Sequence, residues 1–271
     1  MTRIALLQMN SGIDPARNAA AIAEATQRAA GKGAAMLFTP EMSGLLDRNR
    51  ARAARNIVQE ADDGVLSAVC DAAARAGIWV ALGSLAVDLG GGQWANRSYV
   101  IGPEGAIVAR YDKMHMFDVD LAGGESWRES NAYRPGEKVV TVETPPGRLG
   151  LSICYDLRFP ALFEALGNRK CDAIAVPSAF TVPTGEAHWH VLQRARAIEA
   201  SAYVIAAAQV GTHEDGRRTY GHSLVVDPWG EVLLDMGGET PGLGFAEIDP
   251  ARIAEARRQV PSLANRRKIP N

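Results

Sequence analysis

Short apolar runs recur along the whole chain, and most of them alternate with segments of helical composition. Runs of about four to eight apolar residues are typical of buried strands, because helices of globular proteins are longer and repeat their apolar positions every ~3.6 residues. Strands that alternate with helices favour an α/β fold whose sheet is covered on both faces. The predicted strands span residues 4–9, 34–38, 78–85, 149–154, 173–176, 203–209 and 243–248.

Helix boundaries and hairpin turns are marked by local signals. Asp14 and Asp249 each precede a proline, which gives a capping carboxylate followed by a residue that suits the first helical turn. The turn sequences at 102–105 (GPEG) and 227–230 (DPWG) predict two β-hairpins. Because about ten or more strands exceed what one open sheet usually holds, we expect two packed sheets. The predicted helices span residues 15–30, 63–76, 160–167, 187–200 and 250–258.

Composition argues against several classes of protein. The chain of 271 residues has a net charge of −2, which does not suit nucleic acid or an anionic membrane as the main partner. No apolar stretch approaches the ~18 residues of a transmembrane helix, and the short N-terminal apolar run meets polar Asn10, unlike a signal peptide. Three cysteines do not suggest a disulfide framework. We therefore expect one cytoplasmic domain over residues 1–271.

Cys154 is the first candidate for chemistry. The strand predicted over 149–154 leads into it, and the following Phe159-Pro160 suits a helix start. A cysteine at a strand-to-helix turn lies near backbone N–H groups that stabilise a thiolate, which makes it a candidate nucleophile. The alternative is a small buried hydrophobic residue, which is what most free cysteines are.

Three charged residues are further candidates. Glu41 follows a predicted buried strand, Lys113 ends a hairpin strand, and Glu129 lies in a long polar loop. Strand ends and long loops are where α/β domains place catalytic groups, and an ammonium can stabilise a forming oxyanion. Taken singly, each residue has an ordinary alternative, which is a solvated loop carboxylate for the glutamates and a strand-edge lysine for Lys113.

Taken together, the order Glu, Lys, Glu, Cys and the local sequences around these residues resemble the nitrilase, or carbon–nitrogen hydrolase, superfamily. The similarity extends over essentially the whole chain. Thr39 and Met116 depart from the residues that are common in the family, and neither is a candidate catalytic group. The motifs that carry the resemblance are 40–41 (PE), 112–115 (DKMH) and 154–160 (CYDLRFP).

The resemblance implies a four-layer αββα sandwich that forms a homodimer or a larger homo-oligomer. It also implies acyl transfer through a thioester on Cys154, with Glu41 as the general base. Lys113 and the backbone N–H of Tyr155 would stabilise the oxyanion. Glu129 would hold Lys113 and Glu41 in place through hydrogen bonds.

Within the superfamily, three segments are most similar to the Nit branch, and in particular to its deaminated glutathione amidases. The implied reaction is hydrolysis of a small α-keto acid amide, with deaminated glutathione as the first candidate. An ω-amidase acting on α-ketoglutaramate, an N-carbamoyl amino acid hydrolase and a non-catalytic scaffold of the same fold stay open as alternatives. The segments are 184–189 (TGEAHW), 192–199 (LQRARAIE) and 220–230 (YGHSLVVDPWG).

Four side chains are candidates for the substrate pocket. Arg158 could pair with a substrate carboxylate, or it could form an ordinary salt bridge. Tyr155, Phe180 and Thr181 are pocket-wall residues by resemblance only, and core packing is the alternative for each.

No cofactor or metal ion is expected for this chain. The resemblance implies none. His188 and His190 have strand-like spacing, but the sequence places no third ligand cluster near them.

Overall fold

The computed structural model describes residues 1–120, 124 and 126–267. None of the helices in these ranges is both long and apolar enough to cross a membrane. The strands are β1 (Thr2–Gln8), β2 (Met36–Phe38), β3 (Trp79–Asp88), β4 (Trp94–Ile101), β5 (Ile107–Asp112), β6 (Asp118–Asp120), β7 (Ser126–Arg128), β8 (Thr141–Thr144), β9 (Gly147–Leu151), β10 (Ala173–Ala175), β11 (Tyr203–Ala206), β12 (Val210–Thr212), β13 (Arg218–Tyr220), β14 (Leu224–Val226), β15 (Val232–Asp235) and β16 (Gly242–Ile248). The helices are α1 (Pro15–Gly31), α2 (Arg50–Ala53), α3 (Gly64–Ala76), α4 (Pro160–Asn168), α5 (Val182–Ala200), α6 (Pro250–Gln259) and α7 (Ser262–Asn265).

Two six-stranded sheets form the centre of the molecule. The first has the strand order β16-β1-β2-β3-β4-β5, and the second has the order β15-β14-β11-β10-β9-β8. Strands β1 to β3 are parallel, as are β9 to β11, while the outer strands pair antiparallel. This division follows from the connections, because parallel neighbours need a crossover such as α1 or α3 and antiparallel neighbours need only a turn.

Alternate residues of β1 show how the layers stack. Ile4 and Leu6 belong to the apolar core that includes the second sheet, whereas Ala5 and Leu7 belong to the core formed with α1 and α3. Helices α4 and α5 contribute Phe163 and Trp189, respectively, to the core around the second sheet. The order of layers is helix, sheet, sheet, helix, so the expected αββα sandwich is confirmed.

Most predicted elements are present, and the differences have local causes. The strands predicted to reach 154 and 209 end at Leu151 and Ala206, because the chain leaves the second sheet there. The helix predicted from 187 begins at Val182, where Pro183 suits the first turn. Sequence inspection missed the short strands β6, β7, β8, β12 and β13, because segments of three or four residues such as DVD, SWR and TVET are too short to establish an alternating apolar pattern.

Candidate active site

One cavity brings together most of the residues singled out from the sequence. It has a volume of about 220 Å³ and opens beside the ends of β2, β5 and β9. The candidate residues that line it are Glu41, Lys113, Glu129, Cys154, Tyr155, Phe180 and Thr181.

Cys154 occupies a sharp turn that follows β9. It is the first residue of a 3-10 turn (Cys154–Arg158) and has a φ of 48°, a left-handed conformation that is uncommon for a side-chain-bearing residue. Its backbone N–H donates to the carbonyl of Pro177 at 2.9 Å, which ties the turn to the strand end of β10. The N–H of Tyr155 lies in the first turn, where helical N–H groups have no partner within the turn.

Asp156 holds this turn against the first sheet. Its carboxylate is fully buried and accepts hydrogen bonds from the Tyr111 hydroxyl at 2.7 Å and from the Ile153 N–H at 2.9 Å. The backbone N–H of His115 also donates to it at 3.0 Å. The sequence motif around Lys113 is therefore connected directly to the motif around Cys154.

Glu41 follows β2 and lies at the floor of the cavity, 5% exposed. One carboxylate oxygen accepts from the Lys113 ammonium at 2.8 Å and from the side-chain amide of Asn96 at 3.0 Å. The other oxygen accepts from the backbone N–H of Ala179 at 3.0 Å. The pKa of this carboxylate also responds to the adjacent Cys154 thiol, so the general base predicted from the sequence lies next to the predicted nucleophile.

Lys113 is held between two carboxylates. Its ammonium donates to Glu41 at 2.8 Å and to the two oxygens of Glu129 at 2.9 and 3.1 Å. Glu129 also accepts from the backbone N–H of Phe117 at 2.7 Å. The lysine is 2% exposed, so it cannot be the solvated strand-edge residue that the sequence left open.

Burial and charge set the protonation states of these groups. Burial alone would raise the pKa of Glu41, but the Lys113 ammonium and the hydrogen bonds to the carboxylate hold that pKa below its usual value. Burial would lower the pKa of Lys113, but Glu129 and Glu41 raise it well above its usual value. The site therefore contains an ionised carboxylate beside an ammonium.

The protonation state of Cys154 differs from the stabilised thiolate that the sequence led us to expect. Burial and the negative charge of Glu41 raise the pKa of the thiol well above its usual value, and Lys113 opposes this only in part. Cys154, the candidate nucleophile, is therefore a neutral thiol at rest, because a thiolate here would face the Glu41 carboxylate.

The remaining candidates form one wall of the cavity. The ring of Phe180 packs edge-on against Trp189 with centroids 4.9 Å apart, and Thr181 shares a hydrogen bond with Thr184 at 2.8 Å. Arg158 is not among the described residues that line the cavity. Its guanidinium lies 5.9 Å from the Tyr155 ring and 5.5 Å from the Phe180 ring.

A comparison with known protein families decides the classification. The family model of the carbon–nitrogen hydrolases matches residues 3–258 of the chain. The chain belongs to the carbon–nitrogen hydrolase family.

Individual relatives of this carbon–nitrogen hydrolase agree with the family match. A protein of Yersinia enterocolitica named deaminated glutathione amidase is 40% identical over 276 residues, which cover 98% of this chain and 93% of that protein. The crystal structure of the C. elegans NitFhit protein superposes with a TM-score of 0.90 at 38% identity over 98% of this chain. The chain spans 65% of the length of that NitFhit chain.

A third relative bears on the nucleophile of the family. An amidase from Nesterenkonia sp. AN1 superposes with a TM-score of 0.83 at 27% identity, covering 98% of this chain and 94% of that one. A variant of that amidase shows covalent addition of the acetamide moiety of fluoroacetamide at the active-site cysteine. The expectation that the present chain is an amidase is confirmed by these relatives and by the family match.

Sequence inspection of this carbon–nitrogen hydrolase missed several cavity residues. Asn96 bridges the two glutamates, because its amide donates to Glu41 at 3.0 Å and to Glu129 at 3.2 Å. An asparagine within an otherwise buried strand is a signal that could have identified it. Trp127, Tyr133 and Arg217 also line the cavity, and they come from loops and short strands without a recognisable pattern.

The structure also corrects the treatment of the histidines. Sequence inspection found no third ligand near His188 and His190, but the fold places His222 and Asp235 beside His190. The Asp235 carboxylate already binds the two rings, at 2.9 Å from His190 Nε2 and 2.9 Å from His222 Nδ1. None of the three is among the described residues that line the cavity of Cys154, so no catalytic step is assigned to them.

Proposed function

We propose that this carbon–nitrogen hydrolase cleaves deaminated glutathione into 2-oxoglutarate and cysteinylglycine through a thioester on Cys154. The observation that carries the chemistry is the convergence of Cys154, Glu41, Lys113 and Glu129 in one buried cavity. The choice of substrate rests on relatives such as the Yersinia protein, which carries the name deaminated glutathione amidase.

Acylation begins with transfer of the thiol proton from Cys154 to Glu41. The sulfur attacks the amide carbonyl carbon, and a C–S bond forms as the carbonyl π electrons move to oxygen. The Lys113 ammonium and the Tyr155 N–H are the groups available to stabilise this oxyanion. Glu41 then gives its proton to the amide nitrogen, the C–N bond breaks, and cysteinylglycine leaves with a neutral amine.

Deacylation uses the same groups, but water is now the nucleophile and the Cys154 sulfur is the leaving group. Glu41 is again ionised and removes a proton from water, whose oxygen attacks the thioester carbon. The C–S bond breaks, the sulfur regains the proton from Glu41, and 2-oxoglutarate is released. Glu129 supports both half-reactions as a positioning residue, because it holds Lys113 through two hydrogen bonds.

Product identification tests the proposal. Wild-type protein and the Cys154→Ala variant are incubated with deaminated glutathione, α-ketoglutaramate and an N-carbamoyl amino acid, and the products are quantified by mass spectrometry. We expect cysteinylglycine release by the wild type to exceed ammonia release from α-ketoglutaramate, and Cys154→Ala to lose at least ~10³-fold in kcat. Cys70→Ala, at a half-buried cysteine of α3, is the matched control and keeps wild-type turnover.

The other outcomes each contradict one part of the proposal. Turnover mainly of α-ketoglutaramate would assign an ω-amidase, and release of carbon dioxide with ammonia would assign a carbamoyl hydrolase. Unchanged turnover by Cys154→Ala would refute the thioester mechanism. If none of the short amides forms an acyl adduct on Cys154, a non-catalytic binding scaffold would be favoured.

Several broader expectations stay predictions. They are a single domain, a homodimer or larger homo-oligomer, a cytoplasmic location, and a small-molecule substrate with no nucleic-acid or membrane partner. Sedimentation equilibrium of the purified chain measures the oligomeric state directly, and a monomeric mass would contradict that expectation.

A further inference from the structure

Arg217 is a cavity residue to which the mechanism above assigns no role. It lies between the hairpin strands β12 and β13 and lines the same cavity as Cys154. Its guanidinium carbon is 4.6 Å from the centre of the Trp127 ring, and its side chain is 17% exposed. The charged end of this arginine therefore lies against an aromatic wall of the cavity and not in bulk solvent.

The acidic groups around Arg217 compensate its positive charge only weakly. Its nearest carboxylate, Asp215, is 3.6 Å away, beyond the usual hydrogen-bond distance. The oxygens of Asp215 already accept the backbone N–H groups of Arg48 and Arg217 at 2.8 Å each. Burial holds the pKa of Arg217 below its ordinary value, which shows that its surroundings do not fully compensate the charge.

Another arginine of the same chain shows what full compensation looks like. Arg97 donates two hydrogen bonds to Asp112, at 2.6 and 2.9 Å, and a third to Glu60 at 2.9 Å. By contrast, the buried Nε of Arg217 has no hydrogen-bond partner among the residues that the structure describes. A guanidinium presents its donors in a planar fork that matches a carboxylate, so this arginine is suited to an anionic ligand.

A second unpartnered donor lies beside the first. The indole N–H of Trp127 is also buried, and within the described ranges it has no acceptor. Trp127 and Arg217 both line the cavity, in contact through the ring face. Buried donors without acceptors are costly, so this pair of side chains lacks hydrogen-bond acceptors. The terminal nitrogens of Arg217 form no hydrogen bond within the described ranges either, and they belong to the exposed part of this cavity-lining side chain, so they are the donors that oxygen atoms of a ligand can reach.

We propose that Arg217 and Trp127 form a subsite that binds a carboxylate of the amide substrate. The inference rests on the proposed function, because deaminated glutathione carries one carboxylate on the 2-oxo acid side of the scissile amide and another on the glycine of the leaving group. This subsite does not include Arg158, which approaches the Tyr155 and Phe180 rings and is not among the described residues that line the cavity. Arg217 thus acts as a specificity-determining residue.

Substrate analogues that each lack one carboxylate test the subsite. The amides are deaminated glutathione, its glycine-amide form, and 4-oxopentanoyl-cysteinylglycine, in which a methyl group replaces the acyl-side carboxylate. We expect Arg217→Met to lower kcat/KM for deaminated glutathione by ~10- to 100-fold, mainly through KM, because a hydrogen-bonded ion pair is lost. For the one analogue that lacks the bound carboxylate, the same substitution changes kcat/KM by less than about 2-fold. Which analogue behaves in this way identifies the carboxylate.

Matched variants separate recognition from folding. Arg218→Met, at the exposed neighbouring residue, is expected to leave kcat and KM unchanged for all three amides. Arg217→Lys keeps the charge and is expected to recover part of the lost kcat/KM. Trp127→Phe keeps an aromatic ring but removes the N–H together with the five-membered ring of the indole. Because Arg217 is an uncompensated buried charge, Arg217→Met should melt at the wild-type temperature or above it. A merely structural arginine would lower the melting temperature instead.

Binding measurements keep this inference separate from the proposed function. Calorimetric titration of the Cys154→Ala protein, with and without Arg217→Met, reports the affinity for the same amides without turnover. We expect Arg217→Met to weaken binding of deaminated glutathione by ~10-fold or more. Three results would overturn the subsite. Arg217→Met could weaken binding of all three amides equally, or it could behave like Arg218→Met. The third result is that the amides with a carboxylate do not bind to the Cys154→Ala protein. Failure of the wild type to hydrolyse deaminated glutathione would overturn only the proposed function.

Discussion

In the proposed mechanism, the thiol of Cys154 and the carboxylate of Glu41 act as one proton-transfer pair. The carboxylate is ionised and the thiol is neutral, because the Lys113 ammonium favours the first charge while burial and Glu41 oppose the second. The active form of the site therefore needs Glu41 without its proton and Cys154 with its proton.

This pair predicts the pH dependence of the reaction. Since the pKa of Glu41 lies below its ordinary value of 4.5 and the pKa of Cys154 lies well above 9.0, kcat/KM is expected to be flat between these limits. The acidic limb should appear only below pH 4.5, as Glu41 becomes protonated. Initial rates in buffers of constant ionic strength measure this profile. An acidic limb near pH 6, or a rise with thiolate formation near pH 8, would contradict the assigned protonation states.

Lys113 carries the only described ammonium in the cavity, and its removal should destabilise the protein. Lys113→Met leaves Glu41 and Glu129 buried without their shared partner, and breaking such a pair typically costs about 3–5 kcal/mol in the free energy of unfolding. Without the ammonium, the pKa values of the two carboxylates would be raised in the folded state. The loss of folding stability is therefore largest at neutral pH, where both carboxylates would otherwise be ionised. It should shrink as the pH falls and both become protonated.

Urea unfolding at pH 7 and pH 5 measures this difference. Lys138→Met, at an exposed lysine, is the control and should change the free energy of unfolding by no more than about 0.5 kcal/mol. A Lys113→Met protein as stable as the wild type at pH 7 would show that the cluster is not charged as described.

At the scale of elements, the turn between β9 and α4 orients Cys154, the proposed nucleophile. Cys154 has a left-handed backbone conformation, and the local sequence provides no glycine to make that conformation easy. Asp156 compensates by binding the turn to Tyr111 and His115 of the neighbouring sheet region. The turn is therefore defined by contacts between elements as well as by its own residues.

Replacement of Asp156 should release this turn. Asp156→Ala leaves the Tyr111 hydroxyl and the Ile153 N–H without their buried acceptor, and we expect a loss of about 3 kcal/mol in the free energy of unfolding. Misplacement of Cys154 should also lower kcat by ~100-fold. Chemical denaturation and steady-state kinetics measure both effects, with the exposed Asp71→Ala of α3 as control. Unchanged kcat in Asp156→Ala would show that the turn holds its conformation alone.

At the scale of the whole molecule, the site depends on how closely the two sheets approach. Gly83 of β3 lies where a Cβ atom would be 2.1 Å from the carbonyl oxygen of Thr39, 2.4 Å from that of Pro40 and 2.6 Å from Pro177. These neighbours lead into Glu41 on one side and accept the Cys154 N–H on the other. A glycine at this position therefore allows Glu41 and Cys154, the proposed base and nucleophile, to lie close together.

Gly83→Ala should consequently impair folding and activity together. The methyl group would meet backbone atoms, which cannot rotate away, so we expect a loss of at least about 1–3 kcal/mol in the free energy of unfolding and a large drop in kcat. Gly64→Ala, at the start of α3 with no atom within 4 Å of the added Cβ, should be neutral or slightly stabilising. Thermal melting and kinetics compare the pair. Wild-type kcat in Gly83→Ala would contradict the role of this close approach.

The amino-acid sequence by itself determined the alternation of strands and helices, the capped starts of α1 and α6, and the identity of the four candidate catalytic residues. These features depend on composition, capping and motifs that act over a few neighbouring residues. The capping carboxylates of Asp14 and Asp249 accept from N–H groups within three positions of themselves, as the sequence indicates.

Only the tertiary structure decided what those residues face. Ala179 donates to Glu41 across 138 positions, and Lys113 does so across 72, so no local pattern could assign the protonation state of the site. The neutral thiol of Cys154, the bridging amide of Asn96 and the Arg217 Nε, which has no partner among the described residues, depend on which side chains folding buries together around one cavity. Charges interact strongly there because the surroundings are poorly polarisable, and only folding brings these groups into that environment.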